Sequence, residues 1–137
     1  MTQEDKDLLF KDISQRLPYG VKIDCHVYYF GDDKIERAEI IGLNRNLMAE
    51  VKCESYESYN VSLEDISTTI YLRPMSSMTE EEKEEYRNEC NKVLSMPFKI
   101  NGPYPIVDWL NAHHFDHRGL IEKGLALEAP EGMYKID

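Results

Sequence analysis

The sequence predicts an α+β fold: an N-terminal helix, a small curved antiparallel sheet or SH3-like barrel, and C-terminal helices packed over it. Three observations predict it. Apolar residues recur at helical spacing near the N-terminus, they alternate with polar ones over residues 21–29 and 47–53, and Thr79 with Glu82 opens a second helical stretch in capping-box order. No linker or low-complexity stretch interrupts the 137 residues, which therefore read as a single domain.

The first element is a helix over residues 2–17. Thr2 is placed to cap it, acidic residues fill its first turn, and Leu9, Phe10, Ile13 and Leu17 form one apolar face. Pro18 and Gly20 end it. A helix with one apolar face needs a surface to lie on, and residues 20–73 supply one. In VKIDCHVYYF, Val21, Ile23, Cys25, Val27 and Tyr29 alternate with Lys22, Asp24, His26 and Tyr28. That period of two marks a strand with one buried side. Gly31-Asp32-Asp33 turns into KIERAEIIGL, where Gly42 marks a bulge. Asn44-Arg45-Asn46 turns into LMAEVKCE, with Leu47, Ala49, Val51 and Cys53 on one face. The segments YNVSL and STTIYL complete five short strands, with a turn at Leu63-Glu64-Asp65-Ile66 between them.

Pro74 closes the strand region, and residues 78–127 read as a helical cover. Its first helix carries glutamates at the positive end of the dipole and a thin apolar stripe of Tyr86, Cys90, Val93 and Leu94. Met96-Pro97 ends that helix, and FKINGPYP is a connector. A second helix presents Ile106, Trp109, Leu110 and His113 on one side. Asp116 then serves as the N-cap of a third, with Leu120 and Ile121 inward and Gly124 at its end. Trp109, with Leu110, Leu120 and Ile121, is expected to anchor this cover. Leu125, Ala126 and Leu127 run extended into a short tail, 128–137.

Composition excludes several classes. The N-terminus is charged and no run of 18 apolar residues occurs, so a secretory signal, a membrane span and a lipid anchor lack support. The three cysteines, Cys25, Cys53 and Cys90, are scattered and form no CxxC pair, as expected of a reduced, cytoplasmic chain. With 16 basic against 26 acidic residues the net charge is −10, which opposes general binding to nucleic acid.

The stretch DWLNAHHFDHRGL packs His113, His114, Asp116 and His117 together and raises the question of a metal site. His113, Asp116 and His117 are the candidate ligands. Against them, the helix breaks near Phe115-Asp116, and His113 and His114 project about 100° apart on a regular helix. The alternative is that Asp116 caps, His113 packs against Trp109, and the other histidines are solvated. No cofactor is indicated. Cys25 and His26 are adjacent on a strand and point to opposite faces, so they form no catalytic pair, and no GxSxG, HExxH, P-loop or Rossmann pattern occurs. RGLIEKGLA resembles the end of a winged-helix recognition helix, but its basic side chains are only Arg118 and Lys123. Candidate partner-binding residues are Tyr56 and Tyr59 in the ESYESY loop and Glu81, Glu84 and Glu85 of the acidic helix.

Three stretches carry a resemblance: RLPYGVK (16–22), YLRPMSSMTEEEKEEY (71–86) and DWLNAHHFDHRGLIEKGLALEAPEGMYK (108–135). They resemble an uncharacterised protein family encoded by gut Bacteroidetes and their phages or prophages, across about half of the chain. No activity, cofactor or catalytic residue is implied. In that family a tyrosine often stands at the position of His117, which counts against a three-histidine site. The resemblance implies a small accessory protein of bacterial mobile elements that acts inside the cell. The expectation is a non-enzymatic interaction module for a host or phage protein. Nucleic-acid binding or regulation through the barrel or C-terminal helices is the alternative, and a metal-dependent enzyme is third.

Overall fold

The computed structural model describes residues 1–65, 68–95 and 104–134. Helix α1 (Gln3–Arg16) begins with a complete capping box: the Asp5 N–H donates to Thr2 Oγ1, and the Thr2 N–H donates to the Asp5 carboxylate. Leu9 and Ile13 are buried on the sheet, with Phe10 and Leu17 half-buried beside them. A 3₁₀ turn at Leu17–Tyr19 follows, and Gly20 reverses the chain at φ 74°. A Cβ at Gly20 would meet only the flexible end of the exposed Glu39 side chain, so it is the positive φ that favours glycine at this corner.

Strands β1 (Lys22–Tyr29), β2 (Asp32–Leu43), β3 (Met48–Cys53) and β4 (Tyr59–Ser62) form an antiparallel meander. Strand β5 (Thr69–Pro74) returns to pair antiparallel with the far side of β1. The inner face of this sheet is the core, with Val21, Ile23, Cys25, Val27, Ile40, Ala49, Val51, Ile70 and Leu72 all buried. The alternation read from the sequence therefore gives the correct face. The register of β2 on β3 shifts between Ile40 and Gly42, where the bulge is expected. The Leu63–Asp65 part of the LEDI turn is a turn; Ile66 and Ser67, the helix stop at Met96-Pro97 and residues 98–103 of the connector lie outside the described residues.

The sheet is curved but open. Its order is β4-β3-β2-β1-β5, and β4 and β5 do not pair among the described residues, so a closed barrel is not formed. The β5 edge is instead extended by two short parallel strands, β6 (Phe115–Asp116) against Arg73 and Pro74, and β7 (Ala126–Glu128) against Ile70–Leu72. β6 lies where the third helix is expected to begin at Asp116, whereas β7 falls where Leu125–Leu127 are read as extended. The expected helix from Asp116 is absent: residues 120–124 form turns, and Gly119, at φ 74°, breaks any helix at its start. Strand pairing along β5 satisfies backbone groups that a covering helix would have left open.

The cover consists of α2 (Glu80–Leu94) and α3 (Tyr104–Ala112). Thr79 and Glu82 close the capping box at the start of α2, at 3.0 and 3.1 Å. No described residue of α2 is buried, and Leu94, expected on its apolar stripe, is 82% exposed. The four expected anchors divide between two cores. Leu120 and Ile121 join the main core under the sheet, whereas Leu110 joins Met78 and Phe115 in a small second cluster. Trp109 is only half-buried against that cluster; its fully buried member is Phe115. The cover is thus anchored by the phenylalanine, with the tryptophan lying over it at 5.9 Å between ring centroids.

Candidate functional site

The histidine-rich corner is built from the end of α3, strand β6 and the turn that follows. His113 stacks on Trp109 at 4.0 Å, with its Nδ1 2.9 Å from the Trp109 carbonyl one turn earlier. His114 follows the helix in the left-handed region, at φ 64°. Histidine tolerates that region better than most side chains. There its ring turns inward and stacks on Tyr134 at 3.8 Å. Asp116 accepts the backbone N–H groups of Leu120 and Ile121 at 2.9 and 3.0 Å, so it caps a turn rather than a helix. His117 Nε2 lies 2.8 Å from Asn111 Oδ1, to which it donates. The candidate ligands His113, Asp116 and His117 thus point to three different partners. Among the described residues no group of three or more His, Cys, Asp or Glu side chains is placed to share an ion.

The expectation that the remaining histidines are solvated is corrected. His114 is buried and His117 half-buried. Burial, followed by repulsion from Arg16, pushes the His114 imidazole down to about 4. Burial and then the Arg16 and Arg118 guanidiniums hold His117 at about 4 as well. Both rings are neutral at pH 7. The buried Nδ1 of His114 and Nη1 of Arg16 have no hydrogen-bond partner among the described residues. A proton on that Nδ1 would add a second buried cation facing the first.

What draws the corner inward is an ion cluster the sequence reading missed. Asp12 and Arg16, one helical turn apart on α1, are both completely buried. Arg16 Nε donates to Asp12 at 2.8 Å and its Nη2 to the Phe115 carbonyl at 2.7 Å. Arg118 completes the cluster, donating to Asp12 at 2.9 Å and to Gln15 at 2.6 Å. The i, i+4 spacing of Asp12 and Arg16 is legible, but nothing local shows that the pair faces the core. Arg118, a candidate for a nucleic-acid contact, is spent on this internal bond.

Beside the corner, an open cleft of about 620 Å³ separates the start of α2 from the C-terminal segment 128–134. Arg73 rises from its floor. Its guanidinium lies over the Phe115 ring at 4.2 Å and forks onto Glu82 at 2.6 and 2.7 Å. Burial raises the Glu82 carboxyl, but Arg73 and the Thr79 N–H outweigh it and hold it at about 2. Those two charges cancel. Glu81 and Glu85, one turn apart on α2, face Glu128 and Glu131 across the cleft, between Pro74, Pro130 and Tyr134. His113 Nε2 lies 3.7 Å from Glu85. A hollow of similar volume, near Lys6 and Arg45, has mixed charge, and its Lys6 is paired with Glu64 at 2.6 Å.

The structure brings Glu81 and Glu85 of the expected partner residues together and leaves out the others. Glu84 is exposed and does not line the cleft. Tyr56 and Tyr59 stack on each other at 4.8 Å against the main core, and the Tyr56 hydroxyl donates to the Tyr28 carbonyl. They are packing residues of the sheet. Glu128 and Glu131 were not singled out, because their meeting with α2 depends on β7 pairing with β5.

Among the described residues, fold and site together define a small α+β protein with an open, mostly antiparallel sheet, C-terminal helices over it and a carboxylate-lined cleft. No protein-family model, no curated protein and no solved structure matches the chain. No helix among the described residues is long and apolar enough to cross a membrane.

Proposed function

We propose that this chain is a non-enzymatic interaction module that receives a basic segment of a partner protein in the cleft between α2 and residues 128–134. The observation that carries this reading is the arrangement of Glu81, Glu85, Glu128 and Glu131 around one concavity in which Arg73, the only arginine among the described lining residues, is neutralised by Glu82. A lysine or arginine side chain entering there meets carboxylates on two walls, and Pro74, Pro130 and Tyr134 offer apolar surface to its stem. The resemblance of residues 16–22, 71–86 and 108–135 to proteins of gut Bacteroidetes and their phages supports a setting: an accessory protein of a mobile element, acting on a host or phage protein in the cytoplasm.

The test is affinity capture from the native host with the wild-type chain and with a Glu81→Lys/Glu85→Lys/Glu131→Lys variant of matching melting temperature. The reading expects a protein recovered by the wild type, lost with the variant and released by raised salt. Equal recovery by both chains, or none above background, refutes it.

A further inference from the structure

The C-terminal wall of the cleft is a strap held at its two ends. At one end β7 lies on β5, and the Ala129 N–H donates to the Leu72 carbonyl at 2.8 Å. At the other, Tyr134 turns back into the sheet. Its hydroxyl accepts the Lys22 N–H at 2.8 Å and donates to the Tyr71 carbonyl at 2.7 Å. Its ring stacks on His114 at 3.8 Å, and Lys22 Nζ donates to the Met133 carbonyl at 3.1 Å. Between the two ends residues 130–132 are exposed, and the Met133 N–H donates to the Pro130 carbonyl at 3.1 Å, a bond within the strap itself. Gly132, at φ 81°, lets the chain turn there.

The place that Tyr134 takes is one the sheet can fill by itself. Strands β1 and β5 pair through Asp24–Thr69 and Ile23–Ile70, so the next residues in register are Lys22 and Tyr71. The N–H of the one and the carbonyl of the other meet at the Tyr134 hydroxyl. A hydroxyl accepts and donates at once, so it stands between them in place of a direct ladder bond. Withdrawal of the tyrosine leaves that donor and acceptor to each other. Release of the strap therefore strands neither backbone group. A segment with few bonds to the body belongs at the low end of local stability.

We infer, taking the cleft to receive a basic segment as proposed above, that residues 129–134 dock and undock as a strap latched by the Tyr134 hydroxyl, and that the segment binds only to the docked form. Docking sets Glu131, between the two anchors, across the cleft from Glu81 and Glu85. Glu128 precedes the strap and stays with β7 in either state. Undocked, the cleft keeps its α2 wall and loses Pro130, Glu131 and Tyr134. By linkage, a bound basic segment in turn favours the docked strap.

Two variants of the full chain test the latch. Binding is read by fluorescence anisotropy of a labelled hexalysine peptide, and structure by amide hydrogen exchange. Tyr134→Phe keeps the ring on His114 and removes the hydroxyl. It is expected to weaken peptide binding about threefold or more. Lys22→Met releases the Met133 carbonyl and makes the chain more acidic. Charge alone would tighten binding in that variant, whereas the latch requires it to weaken. In Tyr134→Phe the Met133 amide is expected to exchange faster, while the Lys22 amide stays protected by its new bond to Tyr71. Melting curves check both variants for folding, and Lys22→Met carries the test if Tyr134→Phe does not fold. A wild type that ignores the peptide refutes the cleft reading and the inference with it. Wild-type binding that either folded variant leaves unchanged overturns the inference alone. So does a Lys22 amide that loses its protection in Tyr134→Phe.

Discussion

Arg118 donates to Asp12 at 2.9 Å, joining the turn after β6 to a buried position on α1 more than a hundred residues away in the chain. Asp12 also holds Arg16, so one buried carboxylate bridges two guanidiniums, that of the completely buried Arg16 and that of the half-buried Arg118. Its removal leaves Arg16 buried and uncompensated. Asp12→Leu is therefore expected to cost about 3–5 kcal/mol in urea denaturation. Adding Arg16→Met to that variant removes the stranded charge and recovers part of the loss, since a hydrophobic replacement of a whole buried pair is often near neutral. Arg118→Ala leaves the Asp12–Arg16 pair intact and costs less than Asp12→Leu. A double variant no more stable than the single one would show that the cluster stabilises the fold by something other than mutual charge compensation.

The reach of that bond marks what the sequence could tell. Elements specified by local pattern were legible: the capping boxes at Thr2 and Thr79, the alternation of Val21 to Val27, and the bulge at Gly42. The α+β class follows from them. What was not legible depends on pairings distant in sequence. Phe115-Asp116 and Ala126–Glu128 are strands only because β5 offers an open edge. The third covering helix, predicted from Asp116, overlooked that Gly119 adopts a left-handed backbone. Half of the cleft was visible, because Glu81 and Glu85 share a helix face. Glu128 and Glu131 arrive through tertiary pairing, which no spacing announces.

The buried His114 and the half-buried His117 make the fold sensitive to acid. In the folded chain His114 and His117 sit at about 4, below the ordinary value of 6.5. Between these values the unfolded chain binds protons that the folded chain excludes, so acidification favours unfolding. Stability is full above pH 6.5 and falls as the pH drops toward 4, with each histidine contributing up to about 1.4 kcal/mol per pH unit. Glu82 has a depressed carboxyl, at about 2 against 4.5, and its contribution is present above 4.5 and lost below it. Urea midpoints are therefore expected to decline from pH 6.5 through 3. A His114→Asn/His117→Asn variant should flatten the decline between 6.5 and 4 while keeping the part below 4.5. A wild-type midpoint constant from pH 7 to 5 would exclude these neutral histidines as the cause.

The helix cap separates local from tertiary stabilisation of the cleft wall. Thr79 Oγ1 accepts the Glu82 N–H at 3.1 Å, and Glu82 also binds Arg73. Thr79→Ala removes the cap and is expected to cost about 1 kcal/mol. Arg73→Ala does more. It strips Glu82 of its cation, uncovers the Phe115 ring and frees the His113 carbonyl, which Arg73 Nη1 contacts at 3.2 Å. It should also move the Glu82 carboxyl toward its ordinary value, which side-chain carboxyl NMR titration would read directly. An unchanged Glu82 titration in the Arg73 variant would mean that the Thr79 N–H, and not the guanidinium, holds the charge.

Phe115 and Trp109 give the most direct check on how the cover is attached. The rings lie nearly parallel, 17° apart, yet Phe115 is completely buried and Trp109 only half-buried. Truncating a buried phenylalanine leaves a cavity, so Phe115→Ala is expected to cost about 3–5 kcal/mol. Trp109→Ala leaves mainly solvent-facing space and should cost less, below about 3 kcal/mol, despite the larger side chain. The Phe115 ring also lies under Arg73, so its loss disturbs the cleft floor, while the backbone carbonyl that receives Arg16 is kept. Thermal denaturation of the two single variants ranks them. A larger loss for Trp109→Ala would return the tryptophan to the role of anchor and make Phe115 its support.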